Sequence, residues 1–162
     1  MTSQSFDLGD VAMFTVGAIG EPGQRLFYFQ AFGAGTEVCI KCEKVQALTL
    51  ATQLMTVIPP LPSDAEEVAP AEALEPNEVL WPTGSINVRA NSQGTVLILE
   101  FIEFTDPDDL DIEPATLEFR VTPDQIRAFV AQAGVLASAS RPICRLCEHP
   151  IDPSGHACPR LN

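Results

Sequence analysis

The residues best equipped for chemistry stand near the C-terminus: Cys144-Arg145-Leu146-Cys147, then Gly155-His156-Ala157-Cys158-Pro159. Two thiols separated by two residues fit a tight knuckle that turns both sulfurs toward one metal ion. His156 and Cys158 arrive together after a short loop containing proline and glycine. Three Cys and one His make a full tetrahedral set for zinc and leave no open position for water or substrate. The expected site is therefore structural: one zinc on Cys144, Cys147, His156 and Cys158. His149 is the competing nitrogen for the fourth position, although it lies only two residues beyond Cys147 and precedes Pro150. A tail this short builds no apolar core, so coordination would supply most of its order, on the scale of ~10 kcal/mol or more.

Other candidates are weighed against plainer readings. Cys39-Ile40-Lys41-Cys42 repeats the CxxC spacing, but it falls in an expected strand, where positions three apart point to opposite faces. Two buried or half-buried free thiols are the better reading. Asp106, Asp108, Asp109, Asp111 and Glu113 offer oxygen ligands without the glycine and terminal glutamate spacing of an EF-hand, and read as a solvated acidic loop. Gly20-Glu21-Pro22-Gly23-Gln24-Arg25 is neither a Walker loop nor a dinucleotide fingerprint; turn chemistry accounts for Pro22 and Gly23. Glu21, Gln24, Arg25, Glu43, Lys44 and Gln46 are polar residues beside expected element ends. They either cap those elements or converge on a ligand, Arg25 and Lys44 neutralising a phosphorylated small molecule and Gln24 orienting it. Both histidines belong to the tail, so the body has no imidazole base, and no Gly-x-Ser-x-Gly is present. Carboxylate-only chemistry, for example through Glu100 and Glu103, stays open, but the default expectation is a non-enzyme.

Charge narrows the partners. The formal charge of −13 argues against broad electrostatic capture of nucleic acid or of an anionic membrane. It is unevenly spread: residues 1–140 carry six basic and twenty acidic side chains, whereas residues 141–162 carry three and two. An apolar share of 46% supports a real core rather than a disordered chain. The N-terminus lacks a basic and then apolar leader, and no apolar run is long enough to span a bilayer, so neither secretion nor a membrane is expected. Five cysteines, three at metal-ligand spacing, suit a reducing cytoplasmic compartment better than a disulfide framework.

The elements that must hold these residues follow one order twice. Strands over Ala12–Ala18, Arg25–Phe32 and Thr36–Cys42 lead to a helix over Lys44–Ile58. Strands over Ser85–Ala90, Thr95–Phe104 and Thr116–Val121 lead to a helix over Pro123–Ser138. Thr122-Pro123-Asp124-Gln125 combines an N-cap, a proline at the first helical position and a capping-box glutamine. Placing Gln46 over Gln125 also places Gln53 over Gln132. The expected architecture is α+β: two β-β-β-α units, residues 1–58 and 79–140, forming a mainly antiparallel sheet within a domain over 1–140. A zinc-ribbon-like tail over 141–162 follows. The middle strands are apolar on both faces, as in a sheet covered on both sides or partly closed on itself. Between the halves, residues 59–78 hold five prolines among six acidic residues and read as a surface linker.

Three segments together carry a family likeness: Val16-Gly17-x3-Glu21-Pro22-Gly23-Gln24-Arg25, then Glu43-Lys44-x-Gln46, then Pro142-x-Cys144-x2-Cys147 to Gly155-His156-x-Cys158-Pro159-Arg160. The chain resembles the mainly actinobacterial family called domain of unknown function 3090, over nearly its whole length. The resemblance implies that the Glu-Pro-Gly-Gln-Arg loop and the tail are family hallmarks, and it implies no activity. Glu148 stands where such knuckles usually carry glycine. Residues and resemblance together give the expectation of a cytosolic zinc-binding protein, a non-catalytic adaptor or regulator that docks a protein partner through its tail. The alternative is a protein or enzyme for a phosphorylated small ligand, built on the Glu21–Arg25 loop and Lys44.

Overall fold

Strands form here where apolar residues alternate to bury one face or run on to bury both, and the two 3.6-period segments make helices because each buries a stripe. A computed structural model describes residues 3–21, 23–139, 144–148, 151 and 157–160. The elements are β1 (Phe6–Ile19), β2 (Leu26–Gly33), β3 (Thr36–Cys42), α1 (Lys44–Val57), β4 (Thr83–Ala90), β5 (Leu97–Glu103), β6 (Thr116–Val121) and α2 (Pro123–Ala139). All six strands share one sheet in the order β3-β2-β1-β6-β5-β4. Hairpin-linked neighbours run antiparallel, and the two halves join where the first residues of β1 run parallel to β6.

The ends of the sheet also meet. Just before β4, Pro82 forms a parallel bridge with Lys41 of β3. Lys41 N–H donates to the Trp81 carbonyl at 3.1 Å, and Leu80 N–H donates to the Cys39 carbonyl at 2.8 Å. The sheet therefore curls until its two outer strands touch.

Inside the curl lies an aromatic cluster. Phe14 of β1 has its ring centroid 4.4 Å from Phe129 of α2, 5.1 Å from Phe119 of β6 and 6.0 Å from both Phe29 and Phe101. Each such pair adds about 0.5–1.5 kcal/mol beyond the area it buries. The helices bury Ala47, Leu50, Ala51 and Leu54 from α1, and Ile126, Phe129, Gln132 and Ala133 from α2. The start of α2 lies beside the end of α1, where Arg127 in the first turns of α2 donates to the Pro59 carbonyl.

The first strand differs from the sequence expectation. β1 begins at Phe6 rather than Ala12. Asp7, Gly9 and Asp10 hide this first part from any strand pattern, yet Asp7 and Asp10 sit opposite Glu118 and Arg120 of β6. Arg120 donates to Asp10 at 2.9 Å from Nε and 3.3 Å from Nη2. The proline-rich stretch 59–78 is mostly exposed and without helix or strand, and its residues 71–77 strap the outer face of β1–β3. Thr15 donates its hydroxyl to the Ala71 carbonyl, and Tyr28 donates to the Leu74 carbonyl at 2.7 Å. Buried Gln30 grips Leu74 twice, accepting from its N–H at 2.9 Å and donating to its carbonyl at 3.1 Å. An amide side chain thus replaces the missing strand partner that prolines and acidic residues cannot supply. Among the described residues no helix is long and apolar enough to cross a membrane.

Candidate metal centre

The knuckle forms because the chain reverses over five residues. Glu148 N–H donates to the Cys144 carbonyl at 2.9 Å, and Glu148 adopts a left-handed φ of 60°. That conformation costs a side chain with a Cβ about 1–2 kcal/mol, which is why glycine is usual there. The turn aims two sulfurs the same way, and the last described segment brings a third. The Sγ atoms of Cys144, Cys147 and Cys158 all lie within 4.8 Å of one another. Cys144 and Cys158 are 3.8 Å apart. Two sulfurs on one tetrahedral zinc at about 2.3 Å stand about 3.8 Å apart, so this spacing suits the ion. Among the described residues, no other group of three His, Cys, Asp or Glu side chains comes this close together.

Electrostatics favour the ligating form. The Cys144 thiol is lowered to about 6, first because the backbone N–H groups of Cys147 and then Leu146 point at its sulfur, and further through the neighbouring thiols. Oriented N–H groups stabilise an anion, and the thiolate is the metal ligand. His156 and His149, the two nitrogen candidates, lie outside the described residues.

The other pair of cysteines is built to do the reverse. Cys39 and Cys42 are both buried. Cys42 faces the core, while Cys39 lies on the strapped face, where it donates to Glu37 at 3.2 Å and accepts from Gln30 at 3.5 Å. Burial pushes both thiols up to about 12. The Cys42 side chain serves as a small apolar packing unit of the core, and that of Cys39 as a hydrogen-bonded one beneath the strap.

The weaker ligand set is distributed among caps and turns. Gln24 N–H donates to the Glu21 carbonyl at 2.9 Å, closing a turn in which Gly23 takes a φ of 89°. Pro22 lies outside the described residues. Glu43 caps α1, and Gln46 both accepts from the Glu43 N–H at 2.9 Å and donates to the Thr83 carbonyl at 3.0 Å. Gln46 also lines a shallow cavity of about 240 Å³ between α1 and β4, with Val45, Thr49, Leu50, Gln53, Gly84 and Ile86. Glu21, Gln24, Arg25, Glu43 and Lys44 do not line it.

The family described as "Protein of unknown function (DUF3090)" matches residues 6–158. The chain belongs to that family. The match opens on the first residue of β1 and closes on the third sulfur of the cluster, so the family spans both the sheet and the candidate metal centre. No curated protein and no solved structure matches the chain. Sequence reading had not singled out Gln30, because one glutamine inside an apolar strand has no periodic signature.

Proposed function

We propose that this is a zinc-binding, non-catalytic adaptor of the reducing cytoplasm, whose metal-ordered tail docks a protein partner. The observation that carries the reading is the gathering of three thiols beside a five-residue turn, with the Cys144 thiol lowered to about 6. In this reading Cys144, Cys147, Cys158 and His156 enclose one zinc with no position for substrate, and the ion shapes the tail instead of driving a reaction. The tail carries a slight positive balance against a body of −14, which supports docking onto an acidic or neutral partner over nucleic acid. The two β-β-β-α halves are read as a duplicated unit. Their shared element order supports this, as does the matched bonding of Gln46 and Gln125.

A second reading keeps the body as a binder of phosphorylated small molecules. It is supported by register: Phe27 faces Cys42 and Tyr28 faces Lys41, which brings Arg25 and Lys44 to the same end of the sheet as Lys41. Among the described residues none of these three cations has an ion-pair partner. Co-purification of intact and tail-deleted protein from its native host separates the two readings. A partner retained only by the intact chain supports the adaptor. Arg25-dependent binding of a phosphorylated metabolite by both forms, with no tail-dependent partner, would replace it.

A further inference from the structure

From the way residues 71–77 are held, we infer that the outer face of β1–β3 is a receptor for an extended peptide, occupied here by the chain's own strap. Its partner is an uncharged or basic extended segment of another protein. The inference concerns the body and goes beyond the docking role read for the tail. The face is built to read main chain. Thr15 donates to the Ala71 carbonyl, Tyr28 donates to the Leu74 carbonyl at 2.7 Å, and Gln30 binds Leu74 N–H at 2.9 Å and its carbonyl at 3.1 Å. All three side chains are buried. A buried polar group left unbonded costs about 1–3 kcal/mol, a risk that an apolar face under a merely structural strap would not carry. The paired bonds of Gln30 to one residue reproduce what a neighbouring strand supplies, and contacts of this kind accept an extended chain through its backbone. Selectivity comes at Gly17, where an added Cβ would lie 2.6 Å from that of Ala73, so the peptide residue over it must be small.

The strap itself adds little to the core. Glu72, Leu74, Glu75 and Asn77 are exposed, Leu74 by 57%. Its remaining links are the Ala71 N–H to the Ala128 carbonyl at 3.1 Å and Asn77 to the Glu37 carboxylate at 3.3 and 3.4 Å. Segments with few buried apolar contacts belong to the less stable end of a fold, so this one can be exchanged while the sheet beneath it stays intact.

The strap's own charges select the partner. Burial raises the Tyr28 phenol, and the charges of Cys39, Glu37 and Glu75 raise it further. The strap therefore brings the Glu75 carboxylate to a face that already holds Glu37, and among the described residues neither has an ion-pair partner. A segment without those carboxylates makes the same main-chain bonds free of like-charge repulsion, whereas the strap of a second copy repeats it.

Peptide binding to the full-length chain tests the inference. Ala73→Glu, whose side chain has no room over Gly17, and a chain with residues 71–77 replaced by glycine and serine each vacate the face. Either suffices, and circular dichroism confirms that it is folded. The probe is a fluorescein-labelled peptide of residues 69–79 carrying Glu72→Gln and Glu75→Gln, read by anisotropy. It should bind the vacated chains at least about tenfold more tightly than the wild type, whose tethered strap competes. The peptide with both native glutamates should bind them more weakly. Gln30→Leu added to a vacated chain should abolish binding; if that variant does not fold, protection of Cys39 from iodoacetamide by the peptide locates the site instead. No binding to a folded vacated chain at ~1 mM peptide overturns the inference. So does binding that folded Gln30→Leu leaves intact or that leaves Cys39 unprotected, or equal binding to the wild type. Equal or tighter binding of the native-sequence peptide would make a second copy of this chain the better occupant and overturn the assigned partner.

Discussion

Gln46 and Gln125 perform the same pair of bonds on the two helices. Each sits at the third helical position, accepts from the backbone N–H of its N-cap residue, and donates to a strand carbonyl of the other half of the chain. Gln125 accepts from Thr122 at 3.0 Å and donates to Val11 at 2.7 Å; Gln46 accepts from Glu43 at 2.9 Å and donates to Thr83 at 3.0 Å. Each glutamine therefore fixes a helix start and crosslinks the halves. Truncation to alanine removes both bonds and leaves a strand carbonyl without its donor. Gln125→Ala and Gln46→Ala are expected to lose about 1–3 kcal/mol each in urea unfolding. Losses below a few tenths would show that neither bond contributes.

Gly17 is fixed by the ring that crosses it. It faces Tyr28 directly across the β1–β2 ladder, and an added Cβ would lie 2.5 Å from the Tyr28 ring and hydroxyl and 2.6 Å from Ala73 of the strap. Gly17→Ala must displace the tyrosine and with it the bond to Leu74, costing about 1–3 kcal/mol by overpacking. Gly17→Ala combined with Tyr28→Leu should recover part of that loss, which denaturant midpoints of the three variants will read.

The thiols divide by acidity. Metal-free protein should react at Cys144 with iodoacetamide along a titration centred near pH 6, whereas Cys39 and Cys42, raised to about 12, should resist until the protein unfolds. Linkage gives opposite signs. Cys144 has its folded value depressed from 9.0, so its contribution to stability is complete above pH 9 and is lost as pH falls through about 6. Cys39 and Cys42 are raised, so the folded state keeps protons that the unfolded chain releases, and stability falls as pH climbs from about 9 toward 12. Peptide mapping after alkylation across this range tests both.

Glu148 occupies a left-handed position, and no hydrogen bond or ion pair of its side chain with the described residues explains a glutamate there. Glu148→Gly should relieve about 1 kcal/mol of backbone strain and tighten metal retention against a chelator, while Glu148→Val should weaken it. Competition with a chromophoric chelator gives the order directly.

Much of this architecture was legible in the residues. The boundaries of β3 and β6 match the sequence expectation because apolar residues recur at every second position there, Val38, Ile40 and Cys42 in one and Leu117, Phe119 and Val121 in the other, and the start of α2 was marked by Thr122, Pro123 and Gln125. The first part of β1 was not legible, since its strand character comes from parallel pairing to residues 110 positions away rather than from apolar alternation. The strap was hidden for a related reason: prolines and glutamates signal solvent, and residues distant in sequence, Thr15, Tyr28, Gln30, Glu37 and Ala128, hold that backbone down. For the metal centre, spacing alone named the three cysteines. Their convergence depended on how a left-handed Glu148 and the returning chain place Cys158, which no spacing rule contains.

Metal content bears most directly on the central claim. Purified protein, dialysed and analysed by plasma emission, should carry close to one zinc per chain. Cys144→Ser, Cys147→Ser and Cys158→Ser should each lose it, while Cys39→Ser and Cys42→Ser keep it, and His156→Ala should lose it where His149→Ala does not. A wild-type chain without stoichiometric metal, or full zinc retained in the three tail cysteine variants, would contradict the account.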